Sequence, residues 1–239
     1  MTAYMARTDH ALRLRESLRE HSVDADTRLN FLRLAQDQAM LPFDQLKQRQ
    51  SELFGPEGLF ADFSAQVARE GRDAQVFDDI SRIKLKRRLK QVQRAVDFAL
   101  SRHLKCVTPV NPFRQHPRES LCCLVYDESG AFPLVERYAA YEAIRRLDSD
   151  FFIKLIATTR GVVERRIVFR GLLEHFDGLL PVEQSIYPLN YRQVQQGNLA
   201  REEAMYGPLQ LNRPLREMFQ EFSATQLLEQ VQTRSHAAQ

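Results

Sequence analysis

The chain has 239 residues, of which 44% are hydrophobic and 27% are charged, and its formal net charge is +3. This ordinary composition excludes wholesale disorder, which requires low hydrophobicity together with high net charge. No apolar run approaches the roughly 20 residues of a membrane-spanning helix, and the N-terminus lacks the apolar segment of a signal peptide. We therefore expect a cytoplasmic protein with one large domain or two small ones.

Helical patterns dominate the first 105 residues. Apolar residues recur at helical spacing, and Pro or Gly residues end the patterns. We predict four helices, over residues 3–21, 24–41, 44–54 and 59–71. The next segment, 73–105, is also helical, but its apolar residues change sides near Lys84. We favour a break or a change of packing partner at that point.

A short β element is predicted near the middle of the chain. Residues 121–126 (LCCLVY) are typical of a strand, and residues 127–130 are typical of a turn. Residues 131–135 predict a return strand, which Pro133 limits to a sheet edge. The predicted fold class is therefore mainly α, with a small β strand or hairpin near residues 121–135.

Helical patterns resume at residue 135 and continue to the last helix, which begins near Pro214. The Pro-containing loop 109–117 is the predicted boundary between two mostly helical regions. These regions are residues 1–108, which end in a long basic helix, and residues 117–232, which include the β element. Residues 233–239 are predicted to form a loose tail.

Positive charge is concentrated in residues 82–105, which contain nine Lys or Arg residues and one acid, Asp97. The segment has a charge of +8, and because the whole chain is +3, the remainder is −5. Four of the six Lys residues lie here, which is more informative than Arg enrichment in a chain with 28 Arg residues. The chain is thus an acidic body with one basic segment.

A helix through this segment has two different sides. An apolar stripe holds Leu85, Leu89, Val92, Val96 and Leu100. The basic residues occupy most of the remaining arc, and Phe98 falls within it, where solvation alone does not favour an aromatic side chain.

A concentrated basic face neutralises phosphates and releases counterions, so it favours a nucleic-acid partner, with DNA the first choice. We predict a non-enzymatic regulatory or accessory protein in which Phe98 contacts a base or sugar. The predicted phosphate contacts are Lys84, Lys86, Arg87, Lys90, Arg94 and Arg102. A second, weaker basic site is predicted from Arg165, Arg166 and Arg170, with Arg160 nearby.

Other interpretations of the basic segment remain open. A long solvated helix whose charges pair with the acidic body is a common cause of such a pattern. The segment is also consistent with a surface helix on anionic lipid or with a helix on an acidic protein groove. The rival function is a protein-interaction adaptor or an oligomeric scaffold. In that case the face of Leu85, Leu89, Val92 and Val96 is buried between chains.

Motifs of catalysis or metal binding are not found in the sequence. There is no Gly-rich phosphate loop, nucleophile elbow, CxxC, HxxxH or ExxH pattern. Cys106, Cys122 and Cys123 are interpreted as small core residues. We therefore expect no enzyme, no cofactor and no metal site.

The second half of the chain resembles the AcaB-like regulators, accessory proteins of integrative and conjugative elements. The similar features are an acidic pair before a long charged helix, a Pro-containing link, a strand, a helix and a Gly-Val-Val-Glu-Arg-Arg stretch. The residues concerned are Asp78, Asp79, Tyr138, Ala140, Tyr141, Asp148 and 161–166. The chain departs from the family where Ile80 and Ser81, and no aromatics, follow the acidic pair. The resemblance implies a DNA-associated transcription regulator or accessory factor of a mobile element.

Overall fold

The computed structural model describes residues 24–102, 110–158 and 165–229. Across these residues the secondary structure is helical, so the mainly α fold is confirmed. The predicted helix 3–21, the tail 233–239, Arg160 and Lys105 lie outside the described residues. No described helix combines the length and the apolar character needed to cross a bilayer.

Ten α-helices and two 3-10 helices are named within the described residues. The 3-10 helices are Gly71–Asp73 and Gln75–Arg82. The α-helices are α1 (Ala25–Ala39), α2 (Phe43–Phe54), α3 (Leu59–Glu70), α4 (Lys86–Ser101), α5 (Arg118–Val125), α6 (Leu134–Ala157), α7 (Arg165–Asp177), α8 (Pro181–Gln184), α9 (Tyr191–Tyr206) and α10 (Leu215–Glu221). The ends of α2 and α3 agree with the predicted helices to within a residue.

The predicted β hairpin is wrong, because helix α5 occupies the residues assigned to its first strand. Leu121, Cys122, Leu124 and Val125 are all buried, and their spacing places them on one side of a helix. A short apolar run does not distinguish a strand from a buried helix, and here the helix prevails. Residues 127–133 form the link to α6 without a strand, and Gly130 adopts a φ of 74° in that link.

The predicted break near Lys84 is confirmed. The 3-10 helix ends at Arg82, residues 83–85 are not helical, and α4 begins at Lys86. The change of apolar side in the sequence therefore marks two separate helices. Each of the two packs against α3.

The described chain divides into two compact units, one holding residues 24–102 and 110–147 and the other holding residues 148–158 and 165–229. The division falls between Leu147 and Asp148, within α6. It does not fall in loop 109–117, where the sequence placed it. Residues 110–117 belong to the first unit, where the buried Phe113 side chain anchors them.

An aromatic cluster forms the centre of the first unit and joins α2, α3 and α6. The rings of Phe60 and Tyr141 stack with centroids 4.7 Å apart, and those of Phe63 and Tyr138 lie 4.6 Å apart. Phe54 stacks on Tyr141 at 5.1 Å. Such pairs stabilise the fold beyond the area that they bury.

The second unit has its own core, built from α6, α7 and α10. Its buried residues are Phe151, Leu155, Ile167, Leu215, Met218, Phe219 and Leu227. Gly171 on α7 lets the Leu155 side chain of α6 pack directly against the α7 backbone, because a Cβ at this position would lie 2.6 Å from that side chain. Helix α7 also packs along α9.

Phe63→Ala tests the aromatic cluster. The side chain is fully buried, and truncating such a ring costs about 3–5 kcal/mol. We expect this loss in urea unfolding followed by circular dichroism. Met40→Ala is the matched control, since Met40 is 79% exposed, and its midpoint should not move. Equal midpoints for both variants would contradict the central role of the cluster.

Candidate nucleic-acid interface

Helix α4 is buried along one side and, toward its C-terminal end, over most of its circumference. Val92, Ala95, Val96 and Ala99 are buried in the first unit. The apolar stripe predicted from the sequence therefore forms part of the chain's own core at Val92 and Val96. Its N-terminal members differ, because Leu85 remains 70% exposed and Leu89 is also exposed.

Arg88 points into the protein and forms an ion pair with Glu136 on α6. The Arg88 Nη2 lies 2.6 Å from Glu136 Oε2, and Nη1 lies 3.2 Å from Oε1. The guanidinium carbon is 5.2 Å from the centroid of the Phe132 ring. Burial raises the pKa of the Glu136 carboxyl, and the neighbouring Arg88 opposes that rise. Arg88 thus compensates a buried acid and is not a surface cation.

Arg102 is engaged in a similar way at the other end of α4. Its Nη1 lies 2.6 Å from Oε2 of the buried Glu142, which also accepts a hydrogen bond from Arg145. Arg102 was predicted as a phosphate contact. We remove it from the candidate site, because its charge is already matched within the fold.

Five predicted cations form an exposed group, which we call the basic face: Lys84, Lys86, Arg87, Lys90 and Arg94. None of them has an ion pair or a hydrogen bond with the described part of the chain. On α4, the four helical members fall within an arc of about 100°. Arg82, at the end of the preceding 3-10 helix, is also exposed and extends the same charge.

Phe98 is corrected from a nucleic-acid contact to a core residue. Its side chain is only 7% exposed, so its ring is not available to stack on a base. The helical arc did place Phe98 beside the basic residues. The prediction failed because other parts of the unit cover the C-terminal half of α4, which the sequence alone did not indicate.

The first turn of α4 has no side-chain cap and no acidic residue. It holds three cations instead, Lys86, Arg87 and Arg88. A helix N-terminus carries a partial positive charge from its unpaired N–H groups, so cations there are unfavourable and anions are favourable. The fold gives Arg88 a carboxylate partner, but Lys86 and Arg87 have no such compensation among the described residues.

A cleft lies beside the C-terminal end of the basic face, within the first unit. Its volume is about 870 Å³, and its lining comprises Arg94, Asp97, Val110, Asn111, Pro112, Arg114, Gln115 and His116. Arg114, Gln115 and His116 are exposed. These three residues were not predicted as site residues, although Pro112 and Pro117 flank them and restrict the backbone of this surface segment.

The predicted second basic site is not assembled as a free cationic surface. Arg166 is buried and donates to the backbone carbonyls of Tyr206 and Gly207. Arg165 lies 3.6 Å from Glu202, and Arg170 donates to Glu174 at 2.9 Å. Arg165 and Arg166 join α7 to the C-terminal part of α9, whereas Arg170 stabilises α7 itself. Their spacing in the sequence did not reveal their partners.

The two described cysteines are not joined in a disulfide; Cys122 is buried and Cys123 is partly buried. Burial raises the pKa of the Cys123 thiol to about 11, which suppresses the reactive thiolate. Within the described ranges, no group of three or more His, Cys, Asp or Glu side chains is arranged to hold a metal ion.

Comparisons with protein-family models, with curated proteins and with solved structures found no match. The resemblance to the AcaB-like regulators therefore stays a prediction. Of its features, Asp78 and Asp79 lie in a 3-10 helix, and Tyr138 and Tyr141 lie in the aromatic core. The strand is replaced by α5, and residues 161–164 lie outside the described chain.

Arg88→Gln and Arg87→Gln form a matched pair that separates structural from exposed cations. Arg88→Gln leaves Glu136 buried without its partner, and we expect a loss of roughly 2–4 kcal/mol in unfolding free energy, less than for a fully buried pair because Arg88 is partly exposed. Arg87→Gln should leave stability unchanged or slightly higher. Chemical unfolding at neutral pH measures both, and equal stabilities would contradict the assignment of Arg88.

The cost of Arg88→Gln should depend on pH. Because the pKa of Glu136 is raised above its ordinary value of 4.5, the protonated form favours folding, and this contribution is lost as the pH rises through the folded-state pKa. Without Arg88 the pKa rises further. The stability difference between wild type and Arg88→Gln should therefore shrink as the pH falls from 7.5 toward 4.5. A constant difference across that range would show that the variant acts through packing alone.

Proposed function

We propose that the chain is a non-enzymatic nucleic-acid-binding regulatory or accessory protein, with DNA as its first expected partner. The basic face contacts phosphates. The main support is that the cations of this one segment fall into two groups, paired and unpaired. Arg88 and Arg102 each pair with a buried carboxylate, whereas the five residues of the basic face are exposed and have no partner in the described chain.

This division distinguishes between two interpretations of a basic helix. If the positive charge served only to balance the acidic body, its members would be expected to lie against carboxylates, as Arg88 and Arg102 do. A face of unpaired cations is instead maintained against mutual repulsion. Such a face supports an external polyanion, whose phosphates supply the missing charge.

The geometry of α4 also suits a phosphate backbone. Lys86, Lys90 and Arg94 are spaced by four residues, which is roughly 6 Å along the helix axis for each step. Their side chains therefore form a row. The uncapped first turn adds N–H groups and a favourable dipole for an anion at the start of that row.

The interaction is expected to be local. The chain outside residues 82–105 has a charge of −5, so it repels a polyanion that extends far from the basic face. A broad wrapping mode is therefore disfavoured. Binding should depend steeply on salt and should be confined to a short stretch of nucleic acid.

The alternative function is a protein-interaction adaptor or scaffold. Only part of the apolar face predicted for it is exposed to a partner. Val92 and Val96 are used in the chain's own core, and only Leu85 and Leu89 of the four-residue face are exposed. A partner on this side would meet two leucines surrounded by cations. Such a partner would need an acidic surface.

The proposal is tested with a variant in which all five residues of the basic face are changed to Gln. Fluorescence anisotropy with labelled duplex DNA, across a salt series, should give a log–log slope of about −4 to −5 for the wild type, at about −0.9 for each neutralised phosphate. The variant should bind at least tenfold more weakly at low salt.

A second variant controls for net charge. It replaces five exposed cations elsewhere in the described chain: Arg33, Lys47, Arg69, Arg146 and Arg201. This variant has the same net charge as the first and should retain most of the affinity. Equal losses in both variants would show that net charge, and not the basic face, determines binding. Absence of binding to any nucleic acid at low salt would contradict the proposal.

A further inference from the structure

We infer that the cleft beside the basic face receives one unstacked nucleotide of a single strand, so that single-stranded nucleic acid is the preferred ligand class. This inference rests on the proposed function. The backbone would follow the row from Lys86 to Arg94, and the next nucleotide would enter the cleft at Arg94. That residue belongs to both the basic face and the cleft lining.

The wall of the cleft opposite α4 is held in one conformation. The Asn111 side chain donates to the backbone carbonyl of Ala139 at 2.7 Å and accepts from the Phe113 N–H at 2.9 Å. The N–H groups of Arg114 and His116 donate to the carbonyls of Asn111 and Phe113. Because Phe113 is buried, the segment is anchored, and a ligand would not have to order it on binding.

The size of the cleft fits a nucleotide. Its volume of about 870 Å³ falls within the range of roughly 300–1,000 Å³ that is typical of small-molecule pockets. A whole duplex is far too wide to enter. Only a group that protrudes from the backbone, such as a base turned out of its stack, can enter the cleft.

The lining offers flat surfaces and a mixture of donors and acceptors. The His116 ring is exposed and contacts the buried Phe113 ring edge-to-face at 5.3 Å. Arg94 and Arg114 provide planar guanidinium groups, on which bases stack. Gln115 has an amide that both donates and accepts. Groups of these kinds recognise a base, and the guanidinium groups of Arg94 and Arg114 also suit its phosphate.

Asp97 explains why a base is a better occupant than a free phosphate. Its carboxylate lines the cleft and accepts from Arg72 at 2.6 Å and from Gln93 at 3.1 Å. A carboxylate in the wall repels an anion but accepts hydrogen bonds from the N–H groups of a base, such as the N3–H of thymine or uracil. The negative group therefore favours a ligand with both a neutral, hydrogen-bonding part and a charged backbone.

The position of the cleft also argues against a duplex groove as the main ligand. The C-terminal half of α4 is buried on one side and bordered by residues 110–116 on another. Only about two turns of the helix, from Lys86 to Arg94, present an open face. A recognition helix in a major groove needs free space along both of its flanks, whereas a single strand needs only the row and the cleft.

The test compares a single-stranded 12-mer of thymidine or uridine with a duplex of the same length at one salt concentration. We expect the wild type to bind a single strand at least fivefold more tightly. The double variant Arg114→Gln/His116→Ala should weaken single-strand binding by at least about fivefold, because it removes a ring and a guanidinium on which the base stacks. Duplex affinity should change less than twofold.

Cross-linking gives a readout that does not depend on variants. A 12-mer with 4-thiouridine at single positions, irradiated with the unmodified protein, should give cross-links in residues 110–116. Equal affinity for both ligands, or equal loss of both in the cleft variant, overturns the inference while the basic face still binds. Failure of the proposed function looks different, since no nucleic acid would then bind with salt dependence.

Discussion

The ion pair between Arg88 and Glu136 determines which way the basic helix faces. Arg88 lies two residues from both Lys86 and Lys90, which on a helix is a rotation of about 200°. Fixing Arg88 against a fully buried carboxylate therefore turns Lys86 and Lys90 toward solvent on the opposite side. A buried acid is costly unless it is paired, and this cost favours the orientation in which Arg88 faces Glu136.

The sequence was sufficient for features with a long-range periodicity or a strong local signal. The helical class, the limits of α2 and α3 and the break near Lys84 all follow from apolar spacing and from Pro and Gly positions. The β hairpin was predicted wrongly because six apolar residues are too few to distinguish the two-residue period of a strand from the 3.6-residue period of a helix. The boundary between the units lies inside a long helix, where composition changes little and no turn residue marks it.

The candidate site was predictable in part. The exposed lysines and arginines were found because charge clustering is visible in one dimension. Phe98, Arg102 and Arg166 were not placed correctly. The partners of Arg102 and Arg166 lie 40 or 41 positions away in the sequence, at Glu142 and at the carbonyls of Tyr206 and Gly207. The cleft was missed for the same reason. Its two walls, on α4 and on residues 110–116, have no shared pattern in the sequence.

The uncapped, cationic first turn of α4 has a consequence for how the molecule can change. It breaks the local rules of helix design, and such violations concentrate at functional positions. Replacing Lys86 or Arg87 with an acid would complement the helix dipole and relieve repulsion. The cationic first turn thus lowers the stability of this end of the helix, and an anion placed beside it would restore that stability.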